Sequence, residues 1–161
     1  MEEARTKHSE KLLALAETIR FLERAFARFQ PKSMRTRPRS GGFSFVEQLW
    51  HLADLEREGY GVRIRRIRAE DEPVLPDFDG DRIARERRYL ERDPREGLDI
   101  FRSAREENLS LLSRSTTADF DRSAVQEEVG RITLADVQRM MSAHDKGHVS
   151  EIEDSLRELA L

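Results

Sequence analysis

The stretch Ala143-His144-Asp145-Lys146-Gly147-His148-Val149 organises the chain, because it carries two of the four histidines. On a helix, residues four positions apart share one face, one turn above the other. Flanking apolar residues repeat at helical spacing, and both histidines fall into gaps of their stripe. The apolar residues are Leu134, Val137, Met141, Ile152, Leu156 and Leu159. The helix therefore directs both imidazoles toward the interior of the fold.

Two histidines on a buried face need a binding partner, because burying polar groups without compensation costs free energy. Neutral imidazole is a good ligand for zinc, nickel, copper and iron. The pair therefore indicates a transition-metal site. A capping pattern from Thr133 to Asp136 predicts where the helix begins, and the apolar stripe extends it to about Leu159.

Length and composition restrict the class of protein. A chain of 161 residues with 38% charged residues, 37% hydrophobic residues and only eight glycines predicts one soluble, helix-rich domain over residues 1–161. There are no cysteines, which excludes disulfides, thiolate metal sites and a cysteine nucleophile. The net charge of −3 gives no electrostatic argument for a nucleic-acid partner.

Nothing in the sequence predicts a membrane partner. No apolar run is long enough to span a bilayer. The first residues, Met1 to Arg5, are acidic and lack the apolar core of a signal peptide. We therefore expect a cytoplasmic protein.

Three further long helices are predicted from apolar stripes and capping signals. The first runs from about Ser9 to Gln30 and ends at Pro31. The second begins at the capping box Ser44-Phe45-Val46-Glu47 and runs to about Ala69. The third begins at Asp93-Pro94-Arg95-Glu96 and extends past Leu112. With the histidine helix, this pattern predicts an all-α protein.

The connections between these helices differ in charge. The segment 31–42 is basic, which fits either an anion contact or a solvated loop. The acidic segment 70–80 and a short helix over about 81–92 join the second and third helices. This connection can travel the length of a bundle, so those two helices are predicted to run parallel. Its acids do not have the spacing of an EF-hand. Residues 113–130 are predicted to form a loop.

Three polar residues on the predicted core faces are candidates for the site. His51 shares a face of the second helix with Leu55 and Val62. Asp54, one turn after His51, either orients its imidazole or is a solvated acid. Arg105 lies in or beside the stripe of the third helix, where it either binds an anionic substrate group or extends to solvent. We interpret the remaining histidine, His8, as a surface residue.

Three sequence motifs together resemble the DinB superfamily. They are Trp50-His51-Leu52-Ala53-Asp54, Gly130-Arg131-Ile132-Thr133-Leu134-Ala135-Asp136 and His144-Asp145-Lys146-Gly147-His148. The resemblance extends from the first helix to about Leu159. It implies a four-helix bundle with a long crossover connection between the second and third long helices. It also implies that His51, His144 and His148 hold a divalent metal ion, with zinc, nickel and iron as open alternatives.

The resemblance further implies a class of reaction and an assembly. Some members are thiol S-transferases that use bacillithiol or mycothiol, so a transferase acting on small electrophiles with a low-molecular-weight thiol is one expectation, and homodimers are frequent. Apolar residues near the start of the second helix, Phe43, Phe45 and Trp50, add weak support for a dimer. The alternative is a non-catalytic bundle, either stabilised by metal or binding a small ligand.

Three neutral imidazoles predict a catalytic rather than a closed structural metal site, because they leave at least one coordination position open. Such an ion lowers the pKa of bound water or holds a thiol as thiolate. Since the chain has no cysteine, the thiol must come from a small molecule. Other designs do not match: Asp145 follows His144 where an HExxH protease needs Glu, and no Gly-x-Ser-x-Gly motif is present.

Overall fold

The computed structural model describes residues 1–159 and is built from four long helical elements, which confirms the predicted helical bundle. The first, third and fourth are continuous, whereas the second is divided into three segments. The long elements are α1 (Glu2–Arg28), α2 (Phe45–Asp54) with its continuation Leu55–Tyr60 and α3 (Gly61–Ala69), α5 (Pro94–Ser113) and α7 (Leu134–Leu159). Within residues 1–159, none of these helices combines the length and the hydropathy needed to cross a membrane.

The predicted capping residues occupy the helix starts. The Ser44 hydroxyl accepts a hydrogen bond from the Glu47 amide, and the Glu47 carboxylate accepts one from the Ser44 amide. Asp93 accepts from the Glu96 amide at the start of α5. These side chains satisfy backbone N–H groups that have no partner inside the helix, which fixes where each helix begins.

The first helix begins at Glu2, seven residues before the predicted start at Ser9. Glu2 and Glu3 lie in its first turn, where acidic side chains interact favourably with the helix dipole. Glu3 also pairs with Lys7 one turn later. These residues are exposed, so this part of the helix has no apolar stripe from which the sequence could predict it.

A small sheet accompanies the helical bundle and corrects the prediction of a loop over residues 113–130. The strands β2 (Ser123–Gln126) and β3 (Gly130–Thr133) form an antiparallel hairpin, and β1 (Val74–Leu75) pairs in parallel with β2. A short helix, α6 (Thr117–Asp121), precedes the hairpin. Strands of two to four residues give too few alternations to be recognised in the sequence.

The connection between the second and third long helices also departs from the expected single short helix. It contains β1, α4 (Gly80–Glu86) and a 3-10 turn over Tyr89–Glu91. Arg88, between α4 and the turn, has a positive φ of 53° that ends the helix. The parallel arrangement of the two long helices stays a prediction.

A π-helical segment, Leu55–Tyr60, interrupts the second long helix. The sequence predicted one continuous α-helix with Val62 on the same face as His51. The wider turn adds one residue, so Arg63 and not Val62 is buried. Gly61 permits this geometry, since a Cβ there would lie 3.0 Å from the Glu56 carbonyl oxygen.

The apolar core is divided into two clusters with a layer of polar side chains between them. One cluster includes Leu22, Phe45, Trp50, Phe101 and Ile152. The other includes Leu15, Ile64, Leu112, Val137 and Met141. Along each long helix, polar residues lie between the members of the two clusters. These polar residues are Thr18, His51, Asp54, Glu56, Arg105, Asn108, His144, Asp145 and His148. The layer contains every candidate residue named from the sequence except His8.

Candidate metal centre

Three histidines from two helices meet in the polar layer. His51 is presented by α2, and His144 and His148 are presented by successive turns of α7. The Nε2 atom of His144 lies 3.3 Å from Nε2 of His51 and 2.9 Å from Nε2 of His148. One ligand atom of each residue lies within 4.8 Å of the others. The imidazoles therefore direct ring nitrogens at a common point.

The convergence of these nitrogens fits a shared cation better than hydrogen bonding alone. Nε2 of His144 has either one hydrogen or one lone pair, so it can make a hydrogen bond to only one of its two neighbours. Two nitrogen ligands at about 2.0–2.1 Å from one ion are separated by roughly 2.8–3.4 Å, for angles between the octahedral and the tetrahedral value. The observed separations of 2.9 and 3.3 Å match that range. The donor set thus suits a transition-metal ion.

A hydrogen-bond chain sets the tautomer of His148. The Gln48 side-chain amide donates to the Glu151 carboxylate at 2.7 Å, so its carbonyl oxygen faces His148. Nδ1 of His148 must therefore carry the hydrogen and donate it to Gln48. This leaves the Nε2 lone pair directed at the other imidazoles, as in histidines that bind metals.

His51 lies in a largely apolar environment. The Phe43 and Phe78 rings lie 5.6 and 6.3 Å from its ring. The Gly80 backbone packs so closely that a Cβ there would be 2.7 Å from Cε1 of His51. Within residues 1–159, the buried Nδ1 atom of His51 has no hydrogen-bond partner. Only Nε2 is therefore engaged, and it faces the other two histidines.

The three imidazoles are held in their neutral form. Burial, and after it the neighbouring His148 and His144, lower the pKa of His51 to about 3, whereas Asp54 opposes the shift. Burial, then His148 and Arg105, lower the pKa of His144 to about 3. Burial also lowers the pKa of His148. Neutral imidazole is the form that binds a metal ion, so the site is ready to bind one over a wide pH range.

The metal-free protein is expected to lose stability as the pH falls below about 6.5. The imidazoles of the unfolded chain take up protons near their ordinary pKa of 6.5, whereas folded His51 and His144 remain neutral to about pH 3. Within this window the unfolded state binds more protons, and each histidine then costs on the order of 2 kcal/mol between about pH 6.5 and 5. Urea denaturation of wild type and of a His51→Ala/His144→Ala double variant at both pH values measures this, and identical pH dependence would contradict it.

Asp54 does not orient His51, which corrects that expectation from the sequence. Its carboxylate is fully buried and accepts hydrogen bonds from the Tyr89 hydroxyl, from Arg87 at 2.7 Å and from Arg57 at 3.1 Å. Two of these partners belong to the connection after α3, which the sequence could not place. Asp54 therefore anchors that connection to the bundle.

Arg105 is neither an edge residue extending to solvent nor free to bind a substrate, which corrects both interpretations of the sequence. It is 1% exposed, and its guanidinium donates to both carboxylate oxygens of Glu56 and of Asp145 at 2.7–2.9 Å. It also donates to the Leu15 carbonyl oxygen at 3.0 Å. The two carboxylates together compensate the charge of the guanidinium fully. Arg105 therefore ties α5 to the π-segment and to α7.

Three residues in this region were not identified from the sequence. Gln48 lies one turn before His51 on the buried face, where a polar side chain among apolar residues was an available signal. Glu56 and Arg63 had no such signal, because a regular helix would not bury them together with His51. Both become buried through the π-segment.

Two surface cavities adjoin the histidines through Phe43. One, of about 290 Å³, is lined by Phe43, Gln48 and Glu151, among others. The other, of about 260 Å³, is lined by Phe43, Glu47 and Tyr89, among others. Both cavities are one side chain away from the cluster, because Phe43 lines them and packs on His51. They offer space for a small molecule beside the site.

Comparisons with known proteins identify a family and a fold. A family model described as the DinB superfamily matches residues 14–152. A solved structure titled "YfiT from Bacillus subtilis is a probable metal-dependent hydrolase with an unusual four-helix bundle topology" aligns with a TM-score of 0.86 and 21% sequence identity. The alignment covers 94% of this chain and 86% of that chain. No curated protein matches the sequence. At that identity, the structural similarity establishes the fold.

Proposed function

This chain belongs to the DinB superfamily, and we propose that it is an enzyme that acts on a small molecule at one divalent metal ion bound by His51, His144 and His148. The observation that carries the proposal is the convergence of three neutral ring nitrogens from two helices. The relative from Bacillus subtilis adds support, because its title describes a probable metal-dependent hydrolase.

The ligand set favours a catalytic site over a structural one. Among residues 1–159, the cluster holds three histidines and no fourth His, Cys, Asp or Glu. Structural zinc sites usually have four protein ligands, whereas catalytic sites keep a position for water or substrate. In the alternative, a non-catalytic bundle, the ion or a bound ligand only holds α2 and α7 together.

A divalent ion at this site would supply a Lewis acid that lowers the pKa of a water or thiol brought to it. The chain itself supplies orientation and exclusion of water. Gln48 and Glu151 hold His148 in one tautomer, and the rings of Phe43 and Phe78 shield His51. Hydrolysis uses water as the nucleophile, whereas S-transfer uses a small-molecule thiol, because the chain has no cysteine.

The proposal is tested by metal analysis of protein purified without an affinity tag or chelator, followed by activity assays. We expect about one zinc, nickel or iron ion per chain, and turnover either of esters and amides or of small electrophiles with a low-molecular-weight thiol. Turnover should stop after chelation and return when the metal is restored. A metal-loaded protein that turns over neither panel would favour the non-catalytic alternative.

We also propose a cytoplasmic homodimer, on the resemblance to the superfamily. Two of the three residues that supported a dimer in the sequence, Phe45 and Trp50, are buried in the chain's own core, whereas Phe43 is half-buried. Another surface suits the role better: a groove of about 620 Å³ between α1 and α5, lined by Leu12, Leu13 and Leu109 among others. Leu13 is 65% exposed there.

A further inference from the structure

Arg63 is an arginine whose side chain is almost entirely covered by the fold. It is 5% exposed and its guanidinium nitrogens keep contact with solvent, but within residues 1–159 no carboxylate forms an ion pair with it. Arg105, the other arginine buried to this degree, is bound by two carboxylates and a carbonyl oxygen. Burial lowers the pKa of Arg63, because partial removal from water disfavours the charged form. The fold thus leaves a partly desolvated cation without an anionic partner.

The π-segment brings Arg63 to this position. In a regular α-helix continued from His51, Val62 would lie on the core face and Arg63 would be turned away from it. The extra residue between Leu55 and Tyr60 moves Arg63 onto the face that points at the polar layer. Such interruptions are frequent at functional sites, since the wider turn is less stable than a regular one.

Arg63 lies beside the histidine cluster. Its Cζ atom is 5.4 Å from the centre of the Tyr60 ring, and that ring meets His144 edge-on with 6.0 Å between the ring centres. The positive charge of Arg63 contributes to the lowered pKa of His144, so the two groups interact through space. Asp77 is the acid whose charge acts on Arg63, but it is exposed and forms no ion pair with it.

We propose that Arg63 binds an anionic group of the substrate, a carboxylate or a phosphate, while another part of the substrate occupies the open side of the histidine cluster. This inference rests on the proposed function and adds the chemical class of the substrate. A guanidinium presents paired N–H donors that match two oxygens of such a group. The bound anion compensates the buried charge, and a divalent ion nearby adds attraction for it.

The test uses zinc-loaded, isotope-labelled protein titrated with inorganic phosphate and, separately, with acetate. The side-chain Nε–Hε signal of Arg63 in nuclear magnetic resonance spectra reports contact with either anion. We expect the signal to shift in wild type, and Arg63→Gln to weaken binding about tenfold or more, as for the loss of a charge-assisted hydrogen bond. Arg65→Gln is the matched control, because Arg65 is exposed on the same helix and should leave binding unchanged.

The stability of Arg63→Gln separates a binding role from a structural one. An arginine that holds the fold together would destabilise the protein when replaced, whereas an uncompensated charge leaves the thermal midpoint equal or raises it. An Arg63→Gln protein that melts earlier and binds both anions like wild type overturns the proposal. A wild type that binds neither anion overturns it as well.

Zinc binding, measured by equilibrium dialysis on the same samples, distinguishes this inference from the proposed function. Normal zinc binding by Arg63→Gln together with weakened anion binding supports both. If wild type binds no zinc but binds phosphate or acetate through Arg63, the metal centre is overturned and the anion site is supported. If zinc binds and the Arg63 signal does not respond to either anion, the metal centre stands and the anion site is overturned.

Discussion

Replacing His148 with alanine is expected to lower the affinity for a divalent metal ion by more than about 100-fold, since even residues that only orient a ligand contribute roughly 10–100-fold. The same loss is expected for His51→Ala and His144→Ala. Each imidazole supplies one of three converging nitrogens, and within residues 1–159 no other His, Cys, Asp or Glu belongs to the cluster. Equilibrium dialysis against zinc, with metal content measured by mass spectrometry, gives the affinities.

His8→Ala is the matched control for this series. His8 is the fourth histidine, and it lies near the start of α1, where its ring packs edge-on against Phe120 with 5.0 Å between the ring centres. This variant should bind metal like wild type. Gln48→Leu should have an intermediate effect of about 10–100-fold, because it removes the acceptor that orients His148 while keeping all three ligands. Retention of metal by His148→Ala and loss by His8→Ala would contradict the site.

Part of the histidine cluster could be predicted from the sequence because its pattern is local. His144 and His148 are one turn apart, so their shared face follows from helical spacing. The bundle is predictable for the same reason, with starts at Ser44 and Asp93 fixed by capping side chains. That His51 joins the pair was implied by the resemblance to the DinB superfamily, because no local signal links His51 to a helix so far along the chain.

The surroundings of the cluster depend on contacts between residues far apart in the chain. Asp54 accepts hydrogen bonds from Tyr89 and Arg87 because the connection after α3 packs against it. The sequence around Asp54 contains no signal that predicts this contact. The π-segment inserts one residue into the helical repeat, and a search for a constant repeat does not detect it. As a result Arg63, and not Val62, is buried. The sequence therefore predicts the histidines of the cluster, whereas the residues around them require the structure.

The buried network around Arg105 explains how the polar layer remains stable, and it gives the second large effect. Arg105 connects Glu56 on the π-segment with Asp145 on α7, and Asp145 directly follows His144. Thr18 donates a further hydrogen bond of 2.6 Å to Asp145, and Asn108 donates to Glu56 at 3.0 Å. One guanidinium and two carboxylates are thus removed from water together, and each depends on the others.

Arg105→Met is therefore expected to destabilise the protein by about 3–5 kcal/mol, because it leaves two carboxylates buried without their cation. For a chain of this length, that corresponds to a fall of roughly 6–20 °C in the thermal midpoint. Differential scanning calorimetry of the metal-free protein measures the change. Arg102→Met, one turn earlier on α5, is the control, since its ion pairs with Glu23 and Asp99 are at the surface and should contribute about 1 kcal/mol or less.

A triple variant, Arg105→Met with Glu56→Gln and Asp145→Asn, separates uncompensated charge from lost packing. Neutral amides keep the size of the acids, so most of the stability lost in Arg105→Met should return if buried charge is the cause. If the triple variant is as unstable as the single one, the shape of Arg105 and not its charge holds the helices together. Asp145 is adjacent to His144, so the zinc affinity of wild type, Arg105→Met and the triple variant should fall and recover with their stability. Such a result would link the network to the orientation of the histidines.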